Sequence, residues 1–356
     1  MTAGNSSAPL RVIQIGLGGF GRSWADVAER VDGVQLVAGV DPFPAAQEWA
    51  REHFGSRVAL FSTIEEALAQ VECDAVLVIT PPVTHHPVVT TALNAGKHVL
   101  VEKPLSMTIA EADDLIALAD RAGKTLMVSQ NYRFRRPIRA AQAFIASGQL
   151  GSLIAVHADF RRHTGTLFGE GNFRYSMMHP LVHDMSIHHF DMLRALTGLN
   201  VEKVDARSWK SPETWYENDP TVTALMDLEG GVPFTYQGDW APRPSLPDTS
   251  WNADWTFKGT NGWLMIAGDV DDAQKGTLTF EPYDGEPREI AQPELALSDR
   301  DGSLASFAEA IRTGATPETV ASDNVKSLAI VLACVESIER GGAVSVAELR
   351  ERVGTR

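Results

Sequence analysis

Arg11-Val-Ile-Gln-Ile-Gly-Leu-Gly-Gly-Phe-Gly-Arg22 decides how the chain is read. Val12, Ile13 and Ile15 form the short apolar run that a buried strand needs, and it breaks at once into Gly16-x-Gly18-x-x-Gly21 before helix-forming residues resume. Glycines at that spacing suit a dinucleotide-binding turn. Gly16 permits the tight bend, Gly18 lets backbone N–H groups approach a pyrophosphate, and Gly21 lets the next helix pack closely on the strand. The helix start, with Gly19 and Phe20, then presents its dipole and unpaired N–H groups to two phosphates. A glycine pattern by itself is weak, so its surroundings must decide.

Working outward, Trp24 to Val31 has apolar residues at helical spacing and Gly33 closes it; Val34-Gln-Leu-Val-Ala-Gly-Val40 is a second strand that ends in Asp41. The distance from Gly21 to Asp41 is that of the acidic residue that accepts hydrogen bonds from adenosine ribose hydroxyls. Pro42-Phe43-Pro44 supplies no cation for a 2'-phosphate, so NAD is expected over NADP. The competing reading of Asp41 is a cap on the following helix. Further strands are expected around Val58-Ala-Leu-Phe61, Asp74-Ala-Val-Leu-Val-Ile79, His98-Val-Leu-Val101 and Thr125-Leu-Met-Val128. Between them lie helices opened by capping boxes at Ser62-Thr-Ile-Glu65 and Thr108-Ile-Ala-Glu111. This alternation predicts an α/β domain, a doubly wound parallel sheet of Rossmann type. Ligands in such sheets bind beyond the carboxyl ends of the strands, where Gly16, Asp41, Thr80 and Lys103 would fall.

A chain of 356 residues exceeds one ordinary core, so two domains are expected: 1–131 binding the dinucleotide, and 132–356 binding substrate and forming oligomers, with its last helices able to pack back on the first. The net charge of -15 argues against a nucleic-acid partner. No apolar run reaches membrane-spanning length. Met1 to Pro9 lacks a basic start and an apolar core, so no signal peptide is expected there, only a loose tail. Cys73 and Cys334 match no metal spacing and read as buried thiols of a cytoplasmic protein.

Gly16-x-Gly18-x-x-Gly21, Thr80-Pro81 with His85 beyond it, Gly96-Lys97-His98-Val99, Glu102-Lys103-Pro104 and Asp184-x-x-x-His188-x-x-Asp191 together resemble, in order and spacing, the Gfo/Idh/MocA oxidoreductases. The resemblance covers nearly the whole chain. It implies a Rossmann domain followed by a mixed, largely antiparallel open sheet with helices on one face (α/β plus α+β), and an active site in the cleft between them. It also implies that Lys103 lies near the nicotinamide and the reacting carbon, and that Asp184 and His188 sit beside the substrate, with His188 accepting the hydroxyl proton. The physical reading agrees. An ammonium at a strand end can stabilise a developing alkoxide. A carboxylate four residues before a histidine lies on the same helical face and can fix its tautomer.

The expected cofactor contacts are Gly16, Gly18, Gly19, Phe20, Gly21, Asp41, Thr80, Pro81, His85, Glu102, Lys103 and Gln130; candidate substrate contacts are Tyr132, Arg133, Arg161, His163 and Trp240. His179 and His189 are expected to be structural, and Asp191 to brace the catalytic helix. A metal site from His183, Asp184, His188 and Asp191 is the less favoured reading, since a nicotinamide already accepts hydride. Ser186 stands where the family commonly has Gly, which leaves the substrate subfamily open. From Val201 on, β signals dominate, with hairpin turns at Gly230-Gly231 and Asn261-Gly262, and six of the eight tryptophans fall between Trp209 and Trp263, read as interface plus core.

The expected activity is NAD-dependent hydride transfer at a secondary alcohol of a sugar, cyclitol or related polyol, in a homodimer or homotetramer built through the C-terminal sheet. The alternatives are an epimerase or lyase with tightly held NAD, and a non-catalytic NAD-binding regulator.

Overall fold

The computed structural model describes residues 8–354 except Thr166 and Pro244; the expected loose tail therefore lies, through residue 7, outside the described residues. The chain forms two units, Met1–Asn131 with Asp299–Val325, and Tyr132–Ser298 with Lys326–Arg356.

The first unit is built on six parallel strands in the order β3-β2-β1-β4-β5-β6. They are β1 (Leu10–Ile15), β2 (Val34–Val40), β3 (Ala59–Phe61), β4 (Ala75–Val78), β5 (His98–Glu102) and β6 (Leu126–Ser129). The order reverses at β1/β4, the switch point of a Rossmann sheet, so the ends of these two strands flank a crevice. Every residue of β4 is fully buried, which explains its unbroken apolar run: helices cover both faces. Those helices are α1 (Gly19–Arg30), α2 (Pro44–Phe54), α3 (Ile64–Gln70), α4 (His85–Asn94) and α5 (Ile109–Ala122). The box at Thr108 and Glu111 forms as expected, whereas the earlier one shifts by one residue to Thr63 and Glu66, with Thr63 in the extended N-cap conformation before Ile64.

The second unit carries a nine-stranded mixed sheet, β14-β13-β12-β11-β7-β10-β9-β8-β15. Its strands are β7 (Leu153–Arg161), β8 (Val201–Trp209), β9 (Thr221–Leu228), β10 (Val232–Asp239), β11 (Asp254–Gly259), β12 (Gly262–Gly268), β13 (Gly276–Pro282), β14 (Arg288–Glu289) and β15 (Val344–Ser345). Among the described residues β7–β10 is this sheet's one parallel pairing; Gly230-Gly231 and Asn261-Gly262 close antiparallel pairs. Alternate residues such as Val156, Ala158 and Phe160 are buried under helices on one face. The helices of this unit are α6 (Arg136–Ala146), α7 (Ile187–Thr197), α9 (Ala321–Arg340) from Lys326 onward, and α10 (Val346–Gly354). Phe234 stacks on Trp255 at 5.8 Å and Trp255 on Phe257 at 5.8 Å, so that part of the tryptophan cluster is core. Trp209 and Trp215 are exposed.

Two expectations change. The second unit is not the single stretch 132–356. Helix α8 (Asp299–Thr313) and the following residues to Val325 belong to the first unit: Arg30 pairs with Asp301 at 2.8 Å, and the Val128 N–H donates to the Thr319 carbonyl at 3.0 Å along β6. And the stretch before α7 is not α-helical: Leu181–Ser186 forms a π-helix. Leu181 seats on β10 at Gly238, where a Cβ would approach its Cδ2 to 2.6 Å, and the wider π turn accommodates that close contact.

Candidate active site

In the first unit the expected cofactor residues gather at the carboxyl ends of the strands. Gly16 has φ +96°, and a Cβ there would meet the Ile79 carbonyl at 2.2 Å; at Gly21 it would meet the Gly16 carbonyl oxygen, also at 2.2 Å. Both positions therefore require glycine for close packing. At Gly18 and Gly19 a Cβ would find nothing within 4 Å, so this part of the turn borders open space. Gly18 is the N-cap of α1 and supplies no side-chain acceptor to the first N–H groups. Phe20 is 56% exposed, with the Arg300 guanidinium over its ring at 5.0 Å. The turn is braced from below by Gln14, which periodicity could not single out: its Nε2 donates to the carbonyls of Gly16 at 2.8 Å and Gly21 at 2.7 Å.

Asp41 is buried, and its carboxylate is held by two backbone N–H groups; α2 itself has Phe43 as N-cap and no side-chain cap. Oδ2 accepts from the Leu17 N–H in the glycine turn at 2.8 Å, and Oδ1 from the N–H of Phe43, the N-cap of α2, at 2.9 Å. Thr80 accepts from the Thr84 hydroxyl at 2.8 Å beside the exposed Pro81. His85 departs from its expected part as a cofactor contact. It is fully buried, with Nε2 2.9 Å from the Thr80 carbonyl and Nδ1 2.8 Å from the Pro104 carbonyl, so it ties the end of β4 to the turn after Lys103. Its burial, only partly offset by those carbonyls, pushes its pKa down.

Glu102 is likewise buried. Trp24 Nε1 donates to its Oε1 at 2.7 Å and the Lys103 N–H to its Oε2 at 3.1 Å. Burial raises the Glu102 pKa, against the opposing pull of the Lys103 charge. Glu102 thus anchors the backbone of Lys103, whose side chain is half-buried. At the end of β6, Gln130 is 1% exposed and both of its amide atoms lack a hydrogen-bond partner. An orphaned amide, an open glycine turn and an uncapped helix start fit a ligand that combines an amide with phosphates, as a nicotinamide dinucleotide does.

In the second unit His188 lies on the first turn of α7 and is 6% exposed. Tyr132 stacks on its ring, with centroids 4.1 Å apart and planes 7° apart. Asp184, on the π-helix, accepts from Arg174 Nε at 2.6 Å. Arg174, which sequence reasoning missed, lies over the rings of Phe168 and Phe173 at 4.8 and 4.6 Å, so an ordinary-looking loop supplies the cation that holds Asp184. Asp191 is the expected brace: Arg133 grips it through two bonds, Nε–Oδ2 at 2.6 Å and a second at 2.7 Å, and the Ser327 hydroxyl donates to it at 2.9 Å. Arg133 is therefore committed to α7 and not presented to a substrate. His189 is structural, accepting from the Tyr236 hydroxyl at 2.8 Å and donating from Nε2 to the Trp251 carbonyl at 3.1 Å; burial lowers its pKa to about 3.

The remaining candidate substrate residues are not brought to His188. Arg161 pairs with Asp159 on the sheet face opposite the one that buries Phe160 against His189. Strand alternation forces this separation. His163 packs on Trp215 with ring centroids 4.7 Å apart. Trp240 is 1% exposed, packed between Phe168 and Tyr216, and its Nε1 has no partner.

Residues 10–130 match the family model described as oxidoreductase family, NAD-binding Rossmann fold, and residues 138–265 match the corresponding Gfo/Idh/MocA C-terminal domain. Among similar proteins, D-apiose dehydrogenase of Paraburkholderia graminis is 26% identical over 94% of this chain and 89% of its own. Inositol 2-dehydrogenase of Corynebacterium glutamicum is 30% identical over 64% of this chain and 66% of its own. An Agrobacterium radiobacter oxidoreductase solved with NAD+, L-tartaric acid and magnesium shares the fold at a TM-score of 0.86 and 20% identity, covering 96% of this chain and all (100%) of that one. Both halves of the chain thus carry the family's domains in the family's order, and the protein belongs to the Gfo/Idh/MocA oxidoreductases.

Proposed function

We propose that the protein is an NAD-dependent dehydrogenase acting on a secondary alcohol of a sugar, cyclitol or related polyol. The observation that carries this reading is the glycine turn with open space at Gly18 and Gly19, two strands away from a Lys103 whose backbone is anchored on the buried Glu102. NAD, when bound, supplies the hydride acceptor. Gly16 to Gly21 hold its pyrophosphate, Asp41 its adenosine ribose, and Gln130 its carboxamide. Asp41 already draws in the N–H groups of Leu17 and Phe43, and a 2'-phosphate would bring further negative charge against this carboxylate, which favours NAD over NADP.

His188 accepts the substrate hydroxyl proton, Asp184 orients it, and Lys103 stabilises the alkoxide. The relatives include a D-apiose dehydrogenase and an inositol 2-dehydrogenase, which supports a polyhydroxylated substrate here. The sheet face away from the helices exposes Leu225 (51%), an apolar residue in keeping with a homodimer or homotetramer built through this sheet.

The test is reduced-nicotinamide absorbance with NAD and NADP against a panel of inositols, aldoses and polyols, repeated with Lys103→Ala and His188→Ala. Each substitution is expected to lower kcat/KM by roughly 10²–10⁴-fold; full turnover by both variants refutes the mechanism. Nicotinamide that co-purifies stoichiometrically without exchanging indicates an epimerase or lyase instead, and NAD binding without turnover of any polyol indicates a regulator.

A further inference from the structure

Tyr132 is the first residue of the second unit, and its ring is sandwiched. His188 lies on one face at 4.1 Å between centroids, nearly parallel, and the Arg135 guanidinium carbon stands 3.2 Å from the ring centroid. His188, Tyr132 and Arg135 are all buried, at 6%, 8% and 6% exposure. The outer end of the stack is pinned in turn. Arg135 Nη1 donates to Asn252 Oδ1 at 2.7 Å, Asn252 Nδ2 donates to the Ala273 carbonyl at 2.8 Å, and the Asn252 N–H donates to Ser250 Oγ at 3.1 Å. The Tyr132 hydroxyl points at Met185 Sδ, 3.9 Å away on the turn before His188. A continuous series of contacts therefore runs from the loop before β11 to the imidazole on α7.

The physical consequence follows from the chemistry of imidazole. Its lone pair and its N–H lie in the ring plane, while the torsion that turns that plane is soft and broadly populated. A flat ring at contact distance, backed on its far side by a tethered guanidinium, removes that freedom. Proton transfer works only within hydrogen-bond reach, and a misplacement of about 1 Å costs about 10²-fold in rate.

We propose that Tyr132 is a positioning residue for His188: it sets the plane of the imidazole, with Arg135 and Asn252 as its backing, so that substrate meets the ring edge-on. The assignment rests on His188 being the base, as proposed above. The experiment separates the two ideas by reading the stack directly. Full-length protein with ring-labelled histidine is compared by NMR as wild type, His188→Asn (to assign the signal), Tyr132→Leu and Tyr132→Phe, with kcat and KM measured alongside.

His188 ring resonances are expected upfield, shielded by Tyr132; the shielding disappears in Tyr132→Leu and persists in Tyr132→Phe. Tyr132→Leu is expected to lower kcat by about 10²-fold with KM little changed, and Tyr132→Phe to restore most of it. Asn252→Ala keeps both rings and removes the hydrogen bond that Arg135 donates to Asn252 Oδ1, so a smaller loss of kcat is expected even if Tyr132→Leu folds poorly. An unshielded His188 in the wild type, or wild-type kcat in Tyr132→Leu, overturns the proposal. Absence of turnover in the wild type, with shielding that Tyr132→Leu abolishes, refutes the base assignment and leaves the stack standing.

Discussion

Gly16–Gly21 in the first unit and Leu181–Asp191 in the second are both short stretches at the start of a helix, and they are assembled in opposite ways. The glycine turn is made of backbone: its shape depends on missing side chains at Gly16 and Gly21, and nearly all its supports, Gln14 and Asp41 included, come from within thirty residues. The histidine helix is held by side chains that, Arg174 excepted, are brought from afar. Arg133 and Ser327 grip Asp191, Arg174 holds Asp184, Tyr132 covers His188, and Trp251 takes His189. A local device is robust to distant change and fragile to a single methyl group; a dispersed one has the reverse sensitivities. The predictions below probe that contrast, from the largest expected effect to the smallest.

Cutting the dispersed device at its deepest point has the largest cost. Asp191 is 1% exposed, and Asp191→Asn or Arg133→Met breaks its buried, doubly hydrogen-bonded ion pair, while Ser327 and, at 4.0 Å, Arg194 still face position 191. Each is expected to destabilise the chain by about 3–5 kcal/mol, measured by denaturant unfolding. A loss below about 1 kcal/mol would mean that the helix is not held by this pair.

Within the glycine turn one methyl group separates fold from binding. Gly21→Ala places a Cβ 2.2 Å from the Gly16 carbonyl oxygen and must move α1, at an expected cost of about 1–3 kcal/mol in stability together with weaker NAD binding. Gly18→Ala meets nothing within 4 Å and is expected to keep its melting temperature while still losing NAD affinity by calorimetry, because the methyl group intrudes where the pyrophosphate approaches. Equal NAD affinity in Gly18→Ala and the parent would remove the turn from the cofactor site.

These two regions also mark how far the sequence could be read. Periodicity and glycine spacing located all six parallel strands and the turn, because such features are written in consecutive residues. Asp184 and His188 stood out as a pair on one helical face. Their setting did not, since Arg174 and Tyr132 reach them through tertiary contacts that leave no local spacing. The π-helix was invisible for the same reason: Leu181 to Ser186 has an ordinary amphipathic pattern, and its close packing on β10 at Gly238 is a tertiary contact. Arg161, a candidate substrate contact, pairs instead with Asp159 on the sheet face opposite Phe160 and His189, a placement that strand alternation sets. His85, singled out by its place in a motif, proved to act inward on two carbonyls.

The structural histidine of the dispersed device sets a pH sensitivity. Unfolded His189 titrates near the usual histidine value of 6.5 and the folded residue at about 3, so between those values the unfolded chain binds the extra proton and stability falls as pH drops. The contribution is fully present above about pH 6.5 and is lost at up to about 1.4 kcal/mol per pH unit below it. His189→Gln, which can still hydrogen-bond, is expected to flatten the urea midpoint between pH 6.5 and 5 relative to the parent; an unchanged slope would assign the acid sensitivity to other groups.

The smallest expected effect returns to the local device, at the residue where one carboxylate has two tasks. Asp41 shapes the turn through the Leu17 N–H and reaches the N-cap of α2 through the Phe43 N–H, and in the proposed function it also selects NAD. Asp41→Asn retains the side-chain oxygen for one of those N–H groups and removes the negative charge. Folding is therefore expected to change by only about 1 kcal/mol, whereas the preference for NAD over NADP narrows by about tenfold, equivalent to about 1.4 kcal/mol. The comparison is made with the ratio of kcat/KM values for the two cofactors, in which a general loss of stability cancels. An unchanged ratio would show that the choice between them is made by shape around Phe43 and Pro44, and that the charge at Asp41 serves the turn alone.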